Sequence, residues 1–119
     1  MRRVAIHFPI IVYPSEHADI GPFTAHCLNL DIIADDDNVE GAVSKLLEAI
    51  EQHLDAAEEH GADPTRNAPF EYFEKLQRAK KLPDELLERI IREANQRHTP
   101  PLTNPITAEQ LEIRELQEA

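Results

Sequence analysis

Seven apolar residues, Val39, Val43, Leu46, Leu47, Ile50, Leu54 and Ala57, recur at helical spacing and draw one stripe down one side of a helix. Lys45, Glu48, Gln52 and Asp55 point elsewhere, so this helix must lay its stripe against an apolar surface. Asp37 or Asn38 stands at the N-cap position, and Glu40 is spaced to complete a capping box from Asp37. Gly61 occupies the natural C′ position, where a left-handed residue ends a helix.

The receiving surface lies upstream. Val4, Ile6 and Phe8 alternate at period two, and Ile10 to Tyr13 continue the β-branched bias of a strand. Pro9 lacks a backbone donor, which predicts a sheet edge or a bulge for this strand. Pro14 to Pro22 holds Ser15, Glu16, Asp19 and Gly21, turn residues suited to a hairpin loop. Phe23, Ala25 and Cys27 alternate with Thr24, His26 and Leu28 in a second strand, and Leu30 to Ala34 makes a short third. Tight connections predict an antiparallel meander. The expected class is therefore α+β: a small antiparallel β-sheet with one long amphipathic helix packed on it, plus a mostly helical C-terminal extension.

A chain of 119 residues holds one modest domain with its own core. Within it, residues 1–61 form the α/β core and residues 62–119 a helical extension belonging to the same compact unit. Phe70 to Lys80 predicts a short helix with Phe70, Phe73 and Leu76 inward. Pro83 suits the first position of another, with Leu86, Leu87, Ile90, Ile91 and Ala94 as its apolar face. His98 to Pro105 reads as a proline-broken linker. Leu111 to Leu116 fits either a helix capped from Thr107 or an alternating strand.

Charge is unevenly spread. The net charge is −11, and Ser15 to His60 contains twelve acids against the single base Lys45. That segment repels nucleic-acid phosphates and draws basic partners over about a Debye length, ~8 Å at physiological salt. It is equally the composition of a solvated, soluble face.

The residues that could carry chemistry argue against it. Asp35, Asp36 and Asp37 follow one another in a turn, so they cannot all converge on one ion, and their charge suits the positive end of the following helix. Cys27 and His26 are strand neighbours and point to opposite faces, which makes Cys27 a small core residue and leaves His26 either meeting a partner or facing water. A single cysteine also excludes an internal disulfide. His53 and His60 are seven apart, where zinc on one helix wants three or four. Three glycines and no Gly-x-Ser-x-Gly elbow provide neither a phosphate cradle nor a nucleophile turn. No catalytic residue, metal or cofactor is expected. The N-terminal apolar run is broken by His7 and Pro9, and no stretch approaches the ~20 apolar residues of a membrane span, so the expectation is a soluble, cytoplasmic protein.

The order of elements in FTAHCLNLDIIADDDNVEGAVSKLLEAIEQHL resembles the HicB-like antitoxin family. The pattern is a strand ending in Ala-x-Cys, a short apolar strand, an acidic turn and a helix in which Asp37, Val39, Glu40, Ala42, Leu46, Ala49 and Ile50 occupy the family's positions. Gly21 before Phe23 also fits, and NAPFEYFEKLQRAKKLP is similar to a segment of some members. Gly41 stands in place of a usual glutamate, which should weaken the first helical turn. The resemblance implies a partial RNase H-like fold that binds and blocks a small basic mRNA-cleaving toxin. Glu16, Asp19, Asp31, Asp35 and Asp36 are the expected partner contacts. Members often add a DNA-binding segment. Here Phe70 to Thr99 carries seven bases against six acids, without the basic stripe that phosphate contact requires. Such a chain could still be an orphan regulator binding DNA as an oligomer. A homodimer or larger assembly is expected, with the first strand pairing as an open edge.

Overall fold

The computed structural model describes residues 7–15, 22–96 and 110–116. In chain order the elements are β1 Phe8–Pro14, β2 Phe23–Cys27, β3 Ile32–Asp36, α1 Val39–Glu59, α2 Phe70–Arg78, β4 Lys80–Lys81, α3 Asp84–Gln96 and β5 Leu111–Glu115. The strands make one sheet in the order β3-β2-β1-β5-β4. The fold is α+β.

The meander is present: β1 pairs antiparallel with β2, and β2 with β3. The sheet as a whole is mixed, because β5 returns from the far end of the chain and lies parallel to β1. The Leu111 segment is thus a strand.

This overturns the expected edge position of β1, which lies in the centre between β2 and β5. Pro9 is tolerated there for a geometric reason. A strand residue turns its N–H and C=O to the same side, and the Pro9 carbonyl accepts from the Leu28 N–H at 2.9 Å on the β2 side. The donor that proline lacks therefore faces the last rung beside β2, and the ladder with β5 loses nothing. Ile10, Ile11 and Val12 are all fully buried, so the apolar run is that of a strand covered on both faces.

One face carries the main core. Phe8, Ile10, Val12, Ala25, Cys27, Leu111 and Ile113 meet the α1 stripe at Val43, Leu46, Leu47, Ile50 and Leu54, with Leu87 and Ile90 of α3 alongside. Each fully buried Leu, Ile or Val contributes roughly 1.5–3 kcal/mol. Arg89 of α3 forms an exposed ion pair with Glu40 of α1. The second face is also covered, by α2 of the helical extension. There Ile11 and Leu28 pack with Ala68, Leu76 and Ala79, while Tyr13, Tyr72 and Phe73 close around them. Phe70, expected inward, is 74% exposed, because α2 docks through Tyr72, Phe73 and Leu76. Its C-cap Ala79 is extended, and the chain runs on into β4 where the sequence pattern had kept Lys80 helical.

The termini of α1 sharpen the sequence reading. Asn38 is the N-cap, its Oδ1 accepting from the Gly41 N–H at 2.7 Å, and no capping box runs from Asp37, since Glu40 reaches Arg89 instead. Gly41 is no mere weak point. A Cβ there would lie 2.7 Å from Cγ of Asp36, so only glycine lets that carboxylate sit against the first turn. Gly61 has φ +64° and ends the helix beyond its C-cap His60.

Candidate protein-binding face

Of the three aspartates expected in a turn, Asp35 and Asp36 instead end β3 and only Asp37 lies beyond it, and these three and Asp31 do four different things. Asp31 sits between β2 and β3 with φ 53°, a left-handed conformation that aspartate tolerates better than most residues. Its Oδ1 accepts from His26 Nε2 at 2.8 Å. Asp35 accepts a hydrogen bond from the Thr24 hydroxyl, and its backbone carbonyl lies 3.4 Å from Lys45 Nζ. Asp36 Oδ1 accepts from the Asp37 N–H at 2.7 Å and lies 3.6 Å from the same ammonium. Asp37 itself is exposed. Glu16 and Asp19 lie outside the described residues.

Strand alternation then sorts them. Asp36 shares the α1 face with Ile32 and Ala34, and Asp35 shares the other face with Ile33, across from Thr24 and His26. Asp31 joins that second group through its bond to His26. Ile33 is 53% exposed, so the uncovered margin of the α2 face presents one large apolar side chain between two carboxylates. Nothing in composition alone marks Ile33, although the alternation Asp31, Ile33, Asp35 is legible once β3 is drawn.

Behind this margin the sheet carries a closed polar cluster. His26 is only 3% exposed, and its ring meets Tyr72 edge-on with centroids 4.8 Å apart. Tyr13 stacks on Tyr72 at 5.9 Å, and its hydroxyl lies 3.3 Å from His26 Nδ1. An ionised Asp31 can only accept, so Nε2 carries the proton of the neutral ring and Nδ1 accepts from Tyr13. Burial lowers the His26 pKa, partly opposed by the hydrogen bond and charge of Asp31. The expectation that His26 would face a partner or water is therefore corrected. Sequence could not place α2 over it. Lys75 in turn lies 5.1 Å above the Tyr72 ring.

The remaining nucleophile and ligand types are held in structural roles. Burial pushes the Cys27 thiol up to about 12, and a thiol that high stays protonated and inert at neutral pH. His53 Nε2 bonds the Pro64 carbonyl at 2.8 Å and ties the 61–69 loop to α1. Beside it a cleft of ≈ 330 Å³ is lined by Leu54, Ala57, Glu58, Ala62, Asp63 and Pro64. Thr65, through its N–H and hydroxyl, holds the Asp63 carboxyl below its ordinary range. Among the described residues no three His, Cys, Asp or Glu side chains are grouped to hold a metal ion, and no helix is long and apolar enough to cross a membrane.

What the face can do is recognise: an apolar residue framed by carboxylates suits a partner whose own surface mixes apolar and basic groups. No protein-family model, curated protein or solved structure matches this chain, so its family resemblance rests on the residues quoted above.

Proposed function

We propose that this chain is a non-catalytic, cytoplasmic, antitoxin-like binding protein that resembles the HicB-like family and sequesters a small basic mRNA-cleaving toxin. The observation that carries the reading is Ile33, half out of the sheet and framed by Asp31 and Asp35 in the acidic part of the chain. The meander with α1 laid across it supports the same reading, being the arrangement that the resemblance implies. Asp31, Ile33 and Asp35 contact the toxin on the α2 face, and Asp36, on the α1 face of the same edge strand, adds charge at the rim together with Glu16 and Asp19. Inhibition is steric: the toxin's RNA-binding face is covered, and charge complementarity speeds the encounter. The test is to express the small basic protein encoded by a neighbouring reading frame and follow mRNA cleavage with and without this chain. Suppression of cleavage in proportion to added chain is the expected result. A neighbour with no ribonuclease activity, or activity untouched by this chain, counts against it.

A second reading, an orphan regulator binding DNA as an oligomer, has one observation in its favour. Lys75, Arg78, Lys80 and Lys81 fall together on α2 and β4, and the last three are exposed. A promoter-fragment shift that weakens steeply with salt is its signature.

A further inference from the structure

The sheet ends in two strands of opposite charge. β3 closes one edge with Asp35 and Asp36, and β4 closes the other with Lys80 and Lys81. Among the described residues neither outer edge is paired with another strand. Charge on an edge strand ordinarily keeps copies apart. Here it does so only for like edges, β3 against β3 or β4 against β4. The unlike pair attracts.

The topology says how the unlike edges meet. β1, β3 and β5 run one way, and β2 and β4 run the other. A second copy set beside the first in the same orientation brings its β4 antiparallel to the first copy's β3, with the sheet faces matched. Backbone alternation agrees. The Leu82 N–H points inward to the Ile113 carbonyl, so Lys81 turns its N–H and C=O outward. The Asp35 carbonyl also points outward, where it meets the exposed Lys45 ammonium at 3.4 Å. One register therefore joins Lys81 and Asp35 as a hydrogen-bonded pair, and it sets Lys80 opposite Asp36.

Side-chain alternation agrees as well. Lys81 lies across from Arg114 and so on the α2 face, which Asp35 shares. Lys80 lies across from Glu115 on the α1 face, which Asp36 shares. Both cross-strand pairs unite opposite charges, one on each face. A slip by two residues keeps the backbone match but loses at least one of the charge pairs.

We propose that the chain self-associates by this contact, the β3 edge of one copy receiving the β4 edge of the next. The contact is head-to-tail, so it builds a ring or an open row and never a two-fold dimer. It replaces the pairing through β1 that an exposed first strand would have allowed; it does not require the antitoxin reading, and where that reading holds, toxin and second copy compete for the Asp35 and Asp36 edge. Because β4 is two residues long, association is weak, rises with concentration and is screened by salt.

Sedimentation velocity of the full chain over a range of concentrations, at low and at high salt, tests it. At low salt the average mass should climb above that of the monomer as concentration rises, and at high salt it should return, as screening requires. The exposed double change Lys80→Glu with Lys81→Glu should hold the chain monomeric. Asp35→Lys should do the same, and mixing it with Lys81→Glu should restore association by exchanging the charges. Should Asp35→Lys fail to fold for want of its Thr24 bond, the lysine variant decides alone. A chain that stays monomeric at low salt, or an assembly indifferent to Lys80→Glu with Lys81→Glu, overturns the proposal.

Discussion

On the α1 side of the sheet, Ile10, Val12, Ala25, Cys27 and Ile113 pack in one large apolar cluster and are closed to solvent, with the Cys27 thiol bonded to Asn29 Oδ1 at its margin. On the α2 side, Ile11 and Leu28 share the surface with Thr24, His26, Tyr13 and Tyr72, and the margin at Ile33 is left open. The first face is held chiefly by burial. The second relies on hydrogen bonds with fixed partners, which makes it sensitive to protonation and gives it a rim that a partner can read. On the proposed reading, stability and recognition are divided between the two sides of one sheet.

The sharpest way to break this division is to cut a cavity on each side. Ile50→Ala, in the fully buried α1 stripe, should cost about 2–5 kcal/mol by urea unfolding, the usual range for such truncations. Leu76→Ala under α2, where the residue retains 8% exposure, should cost less. Equal losses would mean that both faces bear the fold alike.

Gly41→Ala comes next. Helix propensity favours alanine by about 1 kcal/mol. The Asp36 carboxylate must move to admit its Cβ, giving up its bond to the Asp37 N–H and its approach to Lys45, which together cost about 1–2 kcal/mol. A net loss is expected, and it should shrink when Asp36→Ala is added. A stabilised Gly41→Ala would leave the glycine as the weak point that the sequence pattern suggests.

The α2 side should show its own response to pH. Because burial lowers the pKa of His26 from 6.5, the unfolded chain takes up the proton more readily than the folded one. The stability His26 contributes is thus complete above about 6.5 and is lost as pH falls from there toward the lowered folded value. Asp31, the Tyr13 hydroxyl and the Lys75 charge above Tyr72 are the groups that face or flank it. Unfolding followed by near-UV signals of the tyrosines should lose part of its dependence between neutral and mildly acid pH in His26→Gln. An unchanged profile in that variant would remove His26 from the account.

Ile33→Asp should produce the smallest change in stability, within about 0.5 kcal/mol for an exposed site, while removing the apolar centre of the proposed contact. A large loss of stability would make Ile33 part of the core.

What the sequence disclosed follows the range of the interactions. The α1 stripe, its Asn38 cap, its Gly61 exit and the β1–β2–β3 meander are encoded within a few residues of themselves. The centrality of β1 is not, since it depends on a strand from the other end of the chain. Pro9 looked like an edge signal because its harmless orientation appears only once Leu28 is placed opposite. Likewise, Glu40 reads as a capping-box acid until Arg89, 49 residues away, is found beside it. In the candidate site, Asp31 and Asp35 were legible as acids near a turn. Their separation from Asp36 by sheet face, and the sealing of His26 by Tyr72, required the tertiary structure.

The central claim is that the Ile33 margin binds a basic ribonuclease. An affinity pull-down of the tagged chain from its native cells, at low and high salt, with Ile33→Asp in parallel and mass spectrometry as readout, tests it most directly. A small basic ribonuclease retained at low salt, released by high salt, lost with Ile33→Asp and silenced by the wild-type chain is the predicted result. Recovery of only further copies of this chain or of DNA, or a ribonuclease held equally by Ile33→Asp, would contradict it.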